Sequence, residues 1–422
     1  KTAYEIRLSL VGSEMCIRDS IQTPPNMRHG ISARIVEALD MIEKALAKSP
    51  KDFELFFERG LTQLKVFQEE PAKLSLQQAL ENKPKFEPAI LALASIANRQ
   101  QDWQEADRLF RSIPEESSNY SLALLGLGQM FFNRYRLEDA QKNFALAIKK
   151  DPKNESAYDG LVRLLLRREE DKKADAMVSE GEKALPNSAM VAVAKARIFG
   201  FQKKYDEAFS TLQPFLSRFE HDLDFQFSRT DLLLDSGRFK EASQALENFS
   251  KREISDPEIF YLKAKLLFLQ EVDAGGNRET ASRAIANALR TRPESEKYLL
   301  LKARIDLEID DRTQAMEEIN KLLNLYPDNS QAYLVRGDAQ FEEGNYPTAI
   351  DSYAKALQFT RFGSSIFRKL AVLYKATSQP KKAIEFFTKV IGENPKDAEA
   401  NLELGKLYVE MGRPQKAIEY LQ

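Results

Sequence analysis

An alanine followed four residues later by a large apolar residue recurs along this chain at a fixed step of 34. The alanines are Ala38, Ala72, Ala106, Ala140, Ala174, Ala208 and Ala242, then, after one step of 39, Ala281, Ala315, Ala349, Ala383 and Ala417. Their partners are Ile42, Leu76, Phe110, Phe144, Val178, Leu212, Leu246, Ile285, Ile319, Tyr353, Phe387 and Leu421. Residues four apart share one helical face, so the step belongs to a helical repeat. A unit this short cannot bury its apolar face alone, and neighbouring units must stack to do so.

Two further positions keep the same phase. Twelve residues before the alanine stands a second small residue: Gly60, Ala94, Gly128, Ala196, Ala264 (before the longer step), Ala303, Gly337, Ala371 and Gly405, with Val162 and Thr230 as departures. Twelve residues after it stands proline, at Pro50, Pro84, Pro152, Pro186, Pro293, Pro327 and Pro395. Two small residues predict a close crossing of two helices. Proline predicts the end of the second helix, because it lacks an N–H and biases the preceding residue away from the α region. Gly237, Gly344 and Gly412 fall in the turn between the helices, where a positive φ is needed. Pro380 and Pro414 suit the first turn of a second helix.

These residues resemble the tetratricopeptide-repeat family, whose unit is a 34-residue helix–turn–helix. The clearest copies are Tyr333–Gly337–Gly344–Tyr346–Ala349–Ala356, Leu127–Gly128–Ala140–Phe144–Ala147–Pro152 and Leu404–Gly405–Tyr408–Gly412–Ala417. The steady step argues against pentatricopeptide repeats. The resemblance implies an all-α solenoid, a right-handed superhelix of antiparallel helix pairs, that binds extended or helical segments of other proteins and carries no catalytic site. Ten complete repeats are expected over 53–397, opening near Phe53, Glu87, Ser121, Glu155, Ala189, Leu223, Pro257, Glu296, Ser330 and Ser364. Truncated repeats are expected at 21–52 and 398–422. Five extra residues around Val272–Arg278, with Gly275 and Gly276, read as a loop insertion.

Lys1–Ser20 lacks this pattern. It resembles the translation of an indexed transposase-type sequencing adapter. Glu14–Ser20 back-translates as GAG ATG TGT ATA AGA GAC AG plus one base, and Lys1–Ile6 fits AAG ACG GCA TAC GAG AT. The segment is therefore set apart from the fold as non-native. With it goes Cys16, the chain's single cysteine, leaving no disulfide framework and no thiolate chemistry. Absence of cysteine leans slightly toward an exported bacterial protein of the periplasm over a cytoplasmic one, and both stay open. A lipid anchor or further domains outside the chain stay open.

Chemistry is sparse. His29 and His221 are the two histidines, neither with a metal-ligand neighbour at useful spacing, and no metal or cofactor is expected. Gly275–Gly276 lacks the rest of a phosphate loop, and no G-x-S-x-G nucleophile turn occurs. With 62 Lys plus Arg against 64 Asp plus Glu, no general affinity for nucleic acid is expected. No apolar stretch is long enough to span a membrane. Trp103 reads as core.

In the family the first helix of each unit lines a concave groove. Its ninth place reads Leu61, Ser95, Gln129, Arg163, Arg197, Asp231, Lys265, Arg304, Asp338, Val372 and Lys406. The middle six are charged. Three residues on stand Leu166, Gly200, Leu234, Phe268, Leu307 and Phe341. The candidate partner-binding residues are therefore Arg163, Arg197, Asp231, Lys265, Arg304 and Asp338 beside Leu166, Leu234, Phe268 and Phe341, a track suited to an acidic, extended peptide. The ninth place holds no Asn, so the family's Lys/Asn carboxylate clamp is not supported. Lys or Arg at the seventh place (Arg59, Lys195, Arg229, Lys263, Lys302, Arg336) reads as stems that pack and heads that reach water. The function expected is a protein-interaction scaffold in bacterial envelope assembly or polysaccharide export, or the interaction arm of a larger enzyme or secretion protein.

Overall fold

The computed structural model of the protein describes residues 29–65, 68–220, 222–251, 256–270, 274–360 and 363–421. Lys1–Ser20 and His221 lie outside them. The described regular structure is 23 α-helices and one short 3₁₀ turn, with no strand. It forms two compact units, 1–254 and 255–422.

In the first unit the helix His29–Lys48 precedes six pairs: Phe53–Lys65 with Glu69–Asn82, Glu87–Arg99 with Trp103–Arg111, Tyr120–Asn133 with Leu137–Lys150, Glu155–Arg167 with Asp171–Ala184, Ala189–Phe201 with Tyr205–Leu212, and Leu223–Asp235 with Phe239–Lys251. The second unit has five: Pro257–Leu269 with Ala274–Thr291, Glu296–Glu308 with Arg312–Leu325, Ser330–Glu342 with Tyr346–Gln358, Ser364–Ala376 with Pro380–Glu393, and Ala398–Glu410 with Pro414–Leu421.

Proline and the left-handed turn delimit these helices. Second helices stop at Asn82, Lys150, Ala184, Leu325 and Glu393, two residues before a proline. The intervening residue is forced out of the α region, as at Asp151 (φ -140, ψ 97) and Asn394 (φ -136, ψ 91). Besides Pro414–Leu421 at the end of the described residues, two second helices are shorter, Trp103–Arg111 and Tyr205–Leu212, because Pro114 and Pro214 come early. Between the paired helices, Gly237, Gly344 and Gly412 adopt φ of 75, 74 and 71, as the sequence predicts. Gln101, Tyr135, Glu169, Lys203, Asp310 and Ser378 adopt the same conformation without being glycine, at roughly 1 kcal/mol each. The backbone repays part of that cost. Arg136 N–H, for example, donates to the carbonyl of Phe131 at 2.8 Å, the six-to-one bond that closes a helix C-terminus.

The repeated small and large residues meet across each pair. All twelve register alanines are buried, as are their large partners except Leu421, which is 52% exposed. An ideal Cβ on Gly128 would lie 2.6 Å from Phe144, one on Gly337 2.4 Å from Tyr353, and one on Gly405 2.5 Å from Leu421. The large residue also reaches the next repeat, since a Cβ on Gly160 would lie 2.7 Å from Phe144. At one of the two departures the large residue shrinks as the small one is lost: buried Val162 stands in the Gly128 position and Val178 in that of Phe144. Trp103 is half-buried against the first unit's core, as expected.

Two expectations are corrected. The extra residues of the Pro257 repeat are largely helix, since Ala274–Thr291 has 18 residues where other second helices have at most 14. Gly275 and Gly276 lie inside it. At the seventh place several cationic heads are enclosed instead of solvated. Arg59 Nε donates to Ser75 Oγ at 2.9 Å, and that hydroxyl donates to Gln63 at 2.7 Å. Arg336, Ser352 and Gln340 repeat the arrangement at 3.0 and 2.7 Å. Lys302 is buried with Asp306, itself 0% exposed. A second helix crosses so close that these heads find protein partners before they reach solvent, and a buried charge must be paired.

Candidate partner-binding face

In the first unit, Arg163 and Arg197 sit at the ninth place of adjacent first helices, and one carboxylate serves both. Asp159 lies one turn before Arg163 on the same helix and is buried. Its Oδ2 is 3.0 Å from Arg163 Nε, and its Oδ1 is 3.4 Å from Arg197 Nε in the next repeat. Arg197 Nη2 also donates to Ser228 Oγ, one repeat further, at 2.9 Å. The arginine side chains keep 41% and 37% of their surface exposed. Leu166 is half-buried, and Leu234 is 1% exposed and belongs to the core, so it offers no contact surface. Asp231 is half-buried and has interactions of its own.

In the second unit, Arg304 Nη2 donates to Gln331 Oε1 at 2.7 Å. Burial lowers the pKa of its guanidinium from the ordinary value, while Asp338 and Tyr261 act against that. Asp338 accepts from Tyr353 Oη at 2.7 Å and pairs with Lys369 at 2.8 Å. Burial, then that bond to Asp338, pushes the Tyr353 phenol far up. Lys265 is half-buried and engaged. Phe268 carries the Arg278 guanidinium 4.7 Å over its ring, so one face of it is covered. Phe341 stacks at a tilt on Tyr346 with ring centroids 5.6 Å apart.

Sequence reasoning missed Asp159, Ser228 and Lys369. A signal for the first exists. The fifth place of the first helix is apolar at Phe57, Leu91, Leu125, Val193, Phe227, Leu300, Leu334 and Leu402, and Asp159 breaks that row. Arg368 breaks it too, and pairs with Asp397 and Glu399 of the next repeat. The Asp397 carboxyl is held below the usual range by the Ala400 N–H first and by Arg368 second.

Among the described residues no group of His, Cys, Asp and Glu could hold a metal ion, and no helix is long and apolar enough to cross a membrane. The family description "Tetratricopeptide repeat" matches residues 300–364 and 375–422. The fold is shared with the Cut9–Hcn1 assembly of the APC/C, at TM-score 0.51 over 93% of this chain and 90% of that one with 13% identity. The chain is a tetratricopeptide-repeat protein.

Human IFIT1, solved as a dimer with m7Gppp-AAAA, shares this repeat fold at TM-score 0.52 and 16% identity, covering 90% of this repeat protein and 93% of that chain. Similarity in sequence extends to "Photosystem I assembly protein Ycf3" of Synechococcus sp. (strain CC9605), 28% identical over 100 residues, and of Prochlorococcus marinus (strain NATL2A), 26% identical over 107 residues. Those matches cover 22% and 24% of this tetratricopeptide-repeat chain and span 58% and 61% of the relatives' length. Tetratricopeptide repeats generally bind other proteins, and their scaffolds are generally non-enzymatic.

Proposed function

We propose that the protein is a non-enzymatic assembly scaffold whose first-helix face takes an extended, acidic segment of a partner protein. The observation that carries this reading is that each unit, taken by itself, carries two cations at one helical place of adjacent repeats, Arg163 and Arg197 in the first and Lys265 and Arg304 in the second. Relatives named for photosystem assembly support the assembly role. Bacterial envelope assembly or polysaccharide export is the setting we infer, on the style of the repeat array alone. Exposed ion pairs contribute only about 0.2–1 kcal/mol each, so half-buried apolar neighbours such as Leu166 and Phe341 must supply much of the affinity. A partner recovered by pull-down provides the test. Charge reversal at Arg197, Lys265 and Arg304 should weaken its binding, chiefly at low salt, with the far-ultraviolet circular dichroism unchanged. Equal affinity of the triple variant at low salt would overturn the reading.

A further inference from the structure

We infer that Arg163 and Arg197, held by the buried carboxylate of Asp159, form the anchor for one carboxylate side chain of the bound segment, with an apolar partner residue beside it. This deepens the reading above and rests on it.

Three observations carry the inference. The first is charge: two guanidinium groups share one buried carboxylate, and both keep part of their surface exposed. The second is incomplete pairing. Arg197 Nε and Asp159 Oδ1 are enclosed yet make no hydrogen bond, because their 3.4 Å approach is not in hydrogen-bond geometry. Enclosed polar atoms are ordinarily satisfied, so Asp159 leaves Arg197 incompletely paired, and a carboxylate arriving from the exposed side would add an acceptor at its partly exposed guanidinium. The third is preorganisation. Asp159 anchors Arg163 from within its own helix, and Ser228 holds Arg197 from the following repeat. Less side-chain freedom is then lost on binding. A guanidinium fork suits a planar carboxylate.

The neighbours set the rest of the specificity. Half-buried Phe132 and Leu166 occupy the twelfth place of the two repeats ending at the Arg163 helix, and Phe201 closes the Arg197 helix at 37% exposure. Gly200 stands at the twelfth place beside Arg197 and contributes no side chain there. The motif that fits is an acidic residue flanked by an apolar one.

Fluorescence anisotropy tests this with a short dye-labelled peptide rich in Glu and Leu, its Gln-for-Glu counterpart, and the full chain. Arg163→Gln with Arg197→Gln should weaken the Glu peptide about fivefold at low salt and leave the Gln peptide unchanged. Asp159→Asn should weaken the Glu peptide severalfold, because it frees the two guanidinium groups that Asp159 holds in place. Thermal melts of each variant establish that it is folded. Should Asp159→Asn fail to fold, the double arginine variant still decides. Equal binding of the Glu peptide to wild type and to the double variant, together with a loss in Arg304→Gln, would overturn this anchor and keep the broader reading. Equal binding of the Glu and Gln peptides to the wild-type chain would overturn both.

Discussion

Gly128 and Phe144 show what a single position decides. A Cβ at 128 would stand 2.6 Å from the Phe144 ring, a separation that real Cβ atoms do not show. The ring cannot move away freely, because it also abuts Gly160 of the next repeat. Gly128→Val should therefore destabilise the protein by about 2–3 kcal/mol, the cost of overpacking a filled core. The chain itself contains the compensated pair, Val162 with Val178 at the same two places, both buried. Adding Phe144→Val to Gly128→Val should recover part of the loss, although less than all, since a void then opens beside Gly160. Urea melts of the two singles and the double measure the coupling. A strictly additive double would show that the two residues do not share one space. The same residues explain what could be read from sequence. Small and large side chains at fixed spacing state a close crossing directly, because volume is a property of the residue. Asp159 was legible only as a break in an apolar row. Which arginines would share it depends on the stacking of neighbouring repeats, and Leu234 was misplaced into the groove because the ninth and twelfth places do not turn equally outward in every repeat.

At the scale of the element, helix starts do two jobs at once. Asn329 Oδ1 accepts from Ala332 N–H at 2.8 Å, capping Ser330–Glu342, and its Nδ2 donates to Glu296 of the preceding repeat at 2.6 Å. Ser188 does the same, accepting from Val191 N–H at 3.1 Å and donating to Glu155 at 2.7 Å. Asn154 links its own cap to Ser121 Oγ at 2.9 Å. A cap of this kind fixes the position of one repeat on the last as well as ending a helix. Asp311 caps Arg312–Leu325 through Gln314 N–H at 3.2 Å within one exposed turn. Loss of a simple cap costs about 1 kcal/mol. Asn329→Ala should exceed Asp311→Ala by about a further 1.5 kcal/mol, the lower end of what a hydrogen bond to a charged acceptor contributes. Denaturant midpoints at matched slope check it, and equal losses would mean that the inter-repeat bond contributes nothing. None of this was visible in the sequence. Asn, Ser and Asp before a helix announce a cap, but the second bond needs the neighbouring repeat in place. The longer second helix of the Pro257 repeat was missed for a related reason. Paired glycines are read as a loop, whereas here they lie in the first turn of the helix Ala274–Thr291.

Within each unit the principal contacts are local, between a helix and the next or the next but one. Stability should then be close to a sum of repeat terms and neighbour interfaces, with no single nucleus on which distant repeats depend. Phe144 illustrates the interface term, being held between Gly128 of its own repeat and Gly160 of the following one. Removing repeats from one end should lower stability in steps while the remaining repeats stay helical. Chains ending before Ser330 or before Pro257 should keep their helicity per residue by circular dichroism, and their urea midpoints should fall in that order. The chain ending before Pro257 retains the compact unit that closes at Ile254, so it should still unfold cooperatively. Ending the chain before Ser330 exposes core residues of the Glu296 repeat, such as Leu299 and Ala303, which cluster with Ala332 and Val335 of the Ser330 repeat in the intact protein. That end repeat should therefore lose protection in hydrogen exchange first, ahead of the repeats before it. Uniform loss of protection, or collapse of all helicity on removing the last three repeats, would contradict nearest-neighbour stability and point to long-range coupling along the array.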